Sequence, residues 1–267
     1  NPKIVYAAGN DSSNNAYVFK SYDGGNTWAA VSNGLGQMAV FAIAVSKPNN
    51  QLLYVGGYNF SVHAIALYQS TNGGATWNTV AANLGDASVQ AIVLDPNSPN
   101  VSYLGLNHGV AKSTDGVNWA LLSGMGSNNV HALAMDRSAT PIIYAGTDAG
   151  TNPGIFKSGD GGQSWTAVNS GLPGGSVLFL AIDTTVNSTI YAGTAPNPTS
   201  SFNLAKTVNS GQGWTTLRQT DPMTALVVDP LSGLNLYFET TNGLFRSGDS
   251  GATWVQIYTS GGGGFAT

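Results

Sequence analysis

Short apolar segments alternate with turns rich in Gly, Asn and Ser along the whole chain, and no segment shows a convincing helical period. Several of these segments have a common form and end at an Asp: VQAIVLDP (89–96), VHALAMDR (130–137), VLFLAIDT (177–184) and MTALVVDP (223–230). Runs of this length, rich in β-branched residues and bounded by turn residues, are typical of β-strands. The pattern therefore predicts an all-β protein.

Three further segments follow each of these apolar strands. The second carries a tyrosine at a fixed place: Tyr6, Tyr54, Tyr103, Tyr144, Tyr191 and Tyr237. The third runs into a polar octapeptide, often through Lys-Ser, and the fourth leaves from the octapeptide's final Trp. Four short strands joined by Gly and Asn turns predict one antiparallel sheet, repeated six times along the chain.

The octapeptide SYDGGNTW (21–28) is the clearest repeat, and its variants use every Trp in the protein. The other copies are 70–77, 113–119 (one residue shorter), 158–165, 207–214 and 247–254. Successive Trp residues are 49, 42, 46, 49 and 40 positions apart, and strand-like repeats of this length are typical of propeller blades. We predict one six-bladed β-propeller domain over 1–267, with these blades: 1–35 plus 264–267, 38–84, 87–124, 128–171, 175–219 and 222–260.

Closure of the ring is also predicted. The tail Gly264–Thr267 is similar to Val40–Ile43 at the start of a first strand, whereas Asn1–Tyr6 aligns with Asn49–Tyr54, just after such a strand. The tail should therefore supply part of the first blade's inner strand. The alternative is that the chain is a fragment of a longer propeller.

The pattern S-x-D-x-G-x-[ST]-W resembles the Asp-box (BNR) repeat of sialidase-like β-propellers. Xyloglucan-degrading glycosidases, sortilin-type receptors and photosystem II assembly factors have related propellers. The resemblance implies that each octapeptide joins strands three and four, on the face opposite the ligand site, and that its residues are structural. The positions concerned are Asp23, Trp28, Trp77, Asp115, Trp119, Asp160, Trp165, Trp214, Asp249 and Trp254. Because these families do unrelated things, the resemblance predicts the fold and not the function.

Composition narrows the partners. Only 8% of the residues are charged, the net charge is −4 and there is no basic run, so nucleic acid and anionic lipid are not expected partners. No apolar stretch approaches the ~20 residues of a membrane span. The absence of Cys excludes disulfides and thiolate metal sites. An amide-rich, charge-poor chain favours secretion or the cell surface, and we expect no cofactor.

The few charged residues outside the repeat can be compared with those that the activities of the similar families require. Sialidases hold the substrate carboxylate with three arginines, because guanidinium groups bind carboxylates in bidentate fashion. This chain has three in total: Arg246 precedes an octapeptide, Arg137 follows a first strand, and only Arg218 is suitably placed. Sialidase activity is therefore not expected.

A glycoside hydrolase needs two carboxyl groups at a defined separation. Glu239, the only Glu, and Asp221 are the best pair, since both frame the sixth blade, although two solvated surface acids are the favoured interpretation. His63, His108 and His131 come from different blades without the local spacing of zinc ligands, so no metal site is predicted.

Loop lengths indicate where a ligand would lie. From the strand-two Tyr to the octapeptide the spacings are 15, 16, 10, 14, 16 and 10 residues, which predicts a trough across the face opposite the octapeptides. Its walls would be 9–17, 57–63, 147–153 and 194–203. The predicted ligand-binding residues are Tyr58, Phe60, His108, His131, Phe202 and Asn242. We expect a non-catalytic extracellular module that binds a glycan or an extracellular protein; the alternatives are a glycoside hydrolase and a structural subunit of a surface assembly.

Overall fold

The computed structural model describes residues 3–46, 50–80, 83–98, 100–148, 153–196 and 201–259. Its described secondary structure is almost entirely β, with one short 3-10 turn at Ser123–Met125. The chain divides between Ser123 and Gly124 into two compact units, here called unit 1 and unit 2. Among the described residues no helix is long and apolar enough to span a membrane.

Unit 1 contains the first three antiparallel sheets, each built from strands that are consecutive in the chain. Sheet 1 comprises β1 (Val5–Asn10), β2 (Ala16–Ser21) and β3 (Ala29–Ala30). Sheet 2 comprises β4 (Ala39–Val45), β5 (Leu53–Asn59), β6 (Ala64–Ser70) and β7 (Asn78–Thr79). Sheet 3 comprises β8 (Val89–Leu94), β9 (Ser102–Leu106), β10 (Gly109–Ser113) and β11 (Trp119–Leu122).

Unit 2 contains three four-stranded sheets of the same topology. Sheet 4 comprises β12 (Val130–Met135), β13 (Ile143–Thr147), β14 (Gly154–Ser158) and β15 (Thr166–Ala167). Sheet 5 comprises β16 (Ser176–Ile182), β17 (Ile190–Ala195), β18 (Phe202–Thr207) and β19 (Thr215–Thr220). Sheet 6 comprises β20 (Met223–Val228), β21 (Leu236–Thr240), β22 (Gly243–Ser247) and β23 (Val255–Thr259).

A bulge recurs near the start of the first strand in sheets 2 to 6. Just after the bulge, the first strand pairs with a glycine of the second strand in four of these sheets: Gly56, Gly105, Gly146 and Gly193. At Gly56 a side chain would collide with Val89 of the next sheet, and at Gly193 it would collide with Met223. Glycine is therefore needed where the next sheet packs. Sheet 6 has Glu239 at this position.

Apolar clusters fill the space between successive sheets inside each unit. One cluster, between sheets 2 and 3, includes Tyr54, Val89 and Leu104, and another, between sheets 5 and 6, includes Tyr191, Leu204 and Phe238. The two faces of these sheets are therefore both apolar, which explains why the first strands are continuous hydrophobic runs.

The predicted fold class, an all-β propeller of six antiparallel blades, is confirmed. Sheet 1 has three strands within the described residues. The segment expected to complete it, 264–267, lies outside the described residues, so closure by the tail stays a prediction.

Candidate functional site

The first octapeptide forms a closed turn whose polar atoms bond to one another. The Ser21 hydroxyl accepts from the Gly25 N–H (2.8 Å) and donates to Asp23 Oδ1 (2.8 Å). Asp23 also accepts from the backbone N–H (2.9 Å) and the hydroxyl (2.6 Å) of Thr27. These bonds, led by that of the Thr27 hydroxyl, lower the pKa of Asp23 to about 2, because they favour the ionised carboxylate.

The other five octapeptides close in the same way, through a Ser or Thr hydroxyl that accepts from a glycine N–H. The pairs are Gly74 to Ser70, Gly116 to Ser113, Gly162 to Ser158, Gly211 to Thr207 and Gly251 to Ser247, at 2.8–3.1 Å. Asn72 and Asn209 replace the Asp in two turns and accept an equivalent backbone bond at 2.9 Å. The polar groups of each turn are thus hydrogen-bonded within the turn itself, which is typical of a structural element.

The octapeptides also join neighbouring sheets, which we did not anticipate from the sequence. The Tyr6 hydroxyl (3.1 Å) and Lys20 Nζ (3.0 Å) of sheet 1 both donate to the carbonyl of Gly73, in the octapeptide of sheet 2. Tyr191 (3.2 Å) and Lys206 (3.0 Å) of sheet 5 donate in the same way to the carbonyl of Ser250. Burial raises the pKa of Tyr191 to about 12. In the sequence, the only sign of these contacts between sheets is the recurrence of the Tyr in the second strand and of the Lys before the octapeptide.

The six Trp residues fall into different environments. Three donate their indole N–H to a glycine carbonyl of their own turn: Trp28, Trp165 and Trp254. Trp77 and Trp214 instead donate, at 2.7 Å, to Val31 and Val168 of the preceding sheet. Trp28 is 44% exposed, whereas Trp77, Trp119 and Trp214 are buried.

At the opposite end of the strands, unit 1 contains a cleft of about 320 Å³ between sheets 2 and 3. We call it the aromatic cleft, and its lining residues are Phe41, Tyr58, Phe60, Asp86, Ser88, Gln90 and Asn107. The exposed fractions of Phe41 and Phe60 are 45% and 52%. The rings of Tyr58 and Phe60 meet edge to face, with centroids 5.0 Å apart. The cleft therefore presents apolar ring surface to solvent.

Polar groups on the sheet 3 side of the aromatic cleft form an ordered wall. Asn107 Oδ1 accepts from the Ser88 N–H (3.0 Å), and Gln90 Nε2 donates to the Ser88 hydroxyl (2.8 Å). Asp86 is exposed at the same wall. Aromatic surface facing a few fixed amide and carboxylate groups is a common arrangement in small-molecule and sugar sites.

Unit 2 contains a second cleft, of about 220 Å³, between sheets 5 and 6. We call it the arginine cleft, and it is lined by Arg218, Gln219, Thr220, Asp221, Phe238, Thr240 and Phe245. The guanidinium carbon of Arg218 lies 5.4 Å from the ring centroids of both Phe238 and Phe245. These two rings stack on each other, with centroids 4.8 Å apart. The cleft thus has an aromatic floor with a cation fixed beside it.

The structure gives different surroundings to the two acids proposed as a catalytic pair. Asp221 lines the arginine cleft together with Phe238 and Thr240, whereas Glu239 lies between these two residues in β21. Because successive side chains of a strand point to opposite faces, Glu239 is directed away from that cleft. Its carboxylate accepts from the Thr224 hydroxyl at 2.9 Å.

The predicted ligand-binding residues have different fates. Tyr58 and Phe60 line the aromatic cleft, and His108 lies next to it, with Nδ1 3.0 Å from Asn107 Oδ1. Asn242 is exposed in the turn that precedes β22, where its carbonyl accepts from Gln256. Phe202 is only 3% exposed and packs near Phe179, so its assignment as a stacking residue is corrected: it belongs to the core.

His131 belongs to a separate polar cluster in sheet 4. Its Nε2 lies 3.5 Å from Asp148 Oδ2 and 3.2 Å from Asn129 Nδ2. Asn129 also donates to Asp148 at 2.7 Å. Within the part of the chain that the structure describes, no three His, Asp or Glu side chains converge in a way that would hold a metal ion.

Sequence reasoning missed Phe41, Gln90 and the use of Asp86. The strand around Phe41, AVFAIAV (39–45), is apolar on both faces, so no alternation distinguishes its one solvent-exposed ring. The trough predicted from loop lengths includes walls in both units and residues 149–152 and 197–200, which lie outside the described residues. It stays a prediction.

Six blade sheets and six equivalent turns place this chain in the class of β-propellers. A xyloglucanase of a Paenibacillus species is 27% identical over 206 residues, which cover 61% of this chain and 20% of that protein. The GH74 enzyme of Niastella koreensis has a TM-score of 0.74 at 20% identity, over 95% of this chain and 45% of that one. YCF48, solved with a bound D1 peptide, has a TM-score of 0.65 at 16% identity, over 96% and 78% of the two chains.

These likenesses establish a shared fold. The chain spans about a fifth of the curated xyloglucanase and less than half of the GH74 enzyme. No protein-family model matches the chain.

Proposed function

We propose that this propeller is a carbohydrate-binding module that holds a neutral glycan in the aromatic cleft of unit 1. The observation that carries the proposal is the group formed by the exposed rings of Phe41 and Phe60 and the half-buried Tyr58, which faces fixed polar groups of sheet 3. Aromatic rings pack against the C–H faces of sugar rings, while Gln90 and Asp86 are placed to bond hydroxyl groups. The likeness to a xyloglucanase supports xyloglucan as the ligand.

The accompanying proposals concern the repeat and the location. We assign the octapeptides as Asp boxes of the sialidase-like type, supported by the hydroxyl, carboxylate and glycine bonds that recur in each turn. We also propose that the protein works outside the cell or at its surface. The support is its low charge and a surface solvated by amides and hydroxyls.

The test is calorimetric titration with xyloglucan oligosaccharides. Replacement Phe60→Ala should weaken binding about tenfold, because an exposed ring that stacks on a ligand contributes at least ~1 kcal/mol. Tyr22→Ala is the matched control, since Tyr22 is 62% exposed but follows Ser21 in the first octapeptide, outside the cleft. Equal affinity of the wild type and Phe60→Ala would contradict the proposal.

The second candidate is a glycoside hydrolase, favoured by the xyloglucanase relative and by the position of Asp221 in a cleft. Release of reducing ends from xyloglucan by the wild type, lost in Asp221→Asn, would establish this activity. No release, together with binding that depends on Phe60, would support the non-catalytic module. A protein that binds no glycan but assembles with a surface partner would instead support a structural subunit.

A further inference from the structure

We propose that the arginine cleft of unit 2 is a second binding site, which takes a carboxylate-bearing sugar, a hexuronate residue of an acidic glycan. The inference rests on the proposed carbohydrate-binding function and extends it to a different ligand class and a different pair of sheets. It depends on three groups that meet in one cleft: Arg218, Thr220 and Asp221.

Arg218 supplies the group that recognises the carboxylate. Its side chain leaves β19 and is held against the rings of Phe238 and Phe245, each with a centroid 5.4 Å from the guanidinium carbon. Among the described residues no carboxylate forms an ion pair with it and no hydrogen bond engages its donors. A guanidinium offers parallel N–H donors that match a carboxylate in bidentate fashion. Because the rings already restrict this side chain, binding costs little further side-chain entropy.

Thr220 supplies an unsatisfied hydroxyl next to this arginine. It is 9% exposed, and its Oγ1 is buried without a hydrogen-bond partner among the described residues. An unmet buried hydroxyl costs free energy that a ligand oxygen can recover. Thr220 lines the same cleft as Arg218, two residues along β19 and on the same side of the strand. The cleft wall therefore offers a donor of its own to a ligand oxygen close to the carboxylate.

Asp221 selects among anions. With Arg218 it gives the cleft one positive and one negative group, so a monoanion is accepted more readily than a phosphate or sulfate cluster. The exposed carboxylate of Asp221 accepts hydrogen bonds from hydroxyl groups, which a hexuronate carries on its ring carbons. The volume of about 220 Å³ suits one sugar ring. A peptide carboxyl terminus would fill the Arg218 end but would leave Asp221 without hydroxyl donors.

This arrangement differs from the three-arginine carboxylate site of sialidases. A single arginine is backed by stacked phenylalanines, and an exposed acid, Asp221, lines the same cleft. The ligand class follows from the charge and hydroxyl pattern of these residues alone.

The experiment titrates the protein with a short oligogalacturonate, its carboxyl-reduced neutral counterpart and a peptide with a free carboxyl terminus. The uronate should bind at least tenfold more tightly than either competitor. Arg218→Lys, which keeps the charge but loses the bidentate geometry, should weaken uronate binding about tenfold. Thr220→Val should weaken it by a smaller factor without lowering the melting temperature, since its hydroxyl has no hydrogen-bond partner among the described residues. Arg246→Gln is the matched control, because Arg246 bonds Asn235 outside the cleft.

Equal affinities for the uronate and its reduced counterpart would overturn the inference, as would uronate binding that Arg218→Lys leaves unchanged. Tighter binding of the peptide than of the uronate would also overturn it and would identify a protein ligand. Binding of xyloglucan without binding of the uronate would overturn this inference alone. Uronate binding that depends on Arg218, without any xyloglucan binding, would overturn only the assignment of the aromatic cleft.

Discussion

Units 1 and 2 share a scaffold in detail. Trp28 corresponds to Trp165 and Trp77 to Trp214, in each case 137 positions apart. Trp28 and Trp165 bond their own turns, whereas Trp77 and Trp214 each bond a valine carbonyl 46 residues upstream. Even the Asp-to-Asn replacement falls at equivalent places, Asn72 and Asn209. These matches indicate a duplicated segment that includes the first two sheets of each unit.

The clefts of the two units are where they differ. In both, an Asp in the loop between the second and third sheets lines the cleft: Asp86 in unit 1 and Asp221 in unit 2. In unit 1 the exposed rings of Phe41 and Phe60 accompany it, whereas in unit 2 Arg218 does. The same loop position therefore opens onto a neutral aromatic surface in one unit and onto a charged one in the other.

The difference shows which residues the fold constrains. A turn that saturates its own polar groups and fills the gap between sheets tolerates few changes, because each loss leaves a buried group unpaired or a void. Side chains at the opposite strand ends meet solvent and are free to change. Residues that repeat in every sheet are therefore structural, whereas residues that differ between equivalent positions are the candidates for ligand binding or catalysis.

The strongest challenge to the equivalence of the units is to replace two glycines. Gly34 and Gly171 have φ of +98° and +76°, and a side chain at either would overlap the carbonyl of Trp77 or Trp214 respectively. Gly34→Ala and Gly171→Ala should each lower the free energy of unfolding by about 2–4 kcal/mol, through backbone strain plus collision. Chemical denaturation measures both values.

Gly85→Ala separates these two causes. Gly85 has φ of +70° but nothing within 4 Å of an added Cβ, so only the backbone cost of about 1–2 kcal/mol should appear. If Gly34→Ala and Gly171→Ala lower the free energy of unfolding by clearly unequal amounts, the equivalence of the two units is contradicted.

The next effect concerns the two tryptophans that join sheets. Trp77→Phe and Trp214→Phe remove an indole N–H bond of 2.7 Å and leave a void, so each should cost about 1–3 kcal/mol of unfolding free energy. Trp28→Phe should cost well under 1 kcal/mol, because Trp28 is 44% exposed and bonds only its own turn. Similar losses for all three, measured by thermal denaturation, would show that the two environments are energetically the same.

The smallest expected effect is a change in how stability depends on pH in acid. Hydrogen bonds led by those of Thr27 and Thr253 hold the pKa of Asp23 and of Asp249 at about 2 in the folded protein, below the ordinary 3.8. Their contribution to stability is thus complete above about pH 4 and is lost as the pH falls towards 2. Asp23→Asn and Asp249→Asn, which imitate the native Asn72 and Asn209 turns, should each reduce this loss. The urea midpoint of each protein is measured between pH 2 and 7. If the midpoint falls with decreasing pH as steeply in the variants as in the wild type, the prediction is contradicted.

Particular residues show how far sequence reasoning reached. The octapeptides and the fixed tyrosines predict the number of blades and the strand order, which the structure confirms. Tyr58 and Phe60, which the sequence predicts as ligand-binding residues, lie in one cleft. Phe202 was misjudged, because a loop boundary and a strand start look alike in sequence. Glu239 stands where four other sheets have a glycine, at the position where a following sheet packs on Gly56, Gly146 and Gly193.

The sequence by itself determined the repeating unit, since turn chemistry and strand alternation act between residues a few positions apart. The order of sheets within each unit and the self-contained bonding of the octapeptides depend on such local rules. Only the tertiary structure decided which residues from different sheets meet. The joining of Tyr191 and Lys206 to Ser250, and the meeting of Arg218 with Phe238 and Phe245, depend on packing between neighbouring sheets. Spacing along one strand does not specify such contacts, because they involve residues that are distant in the chain.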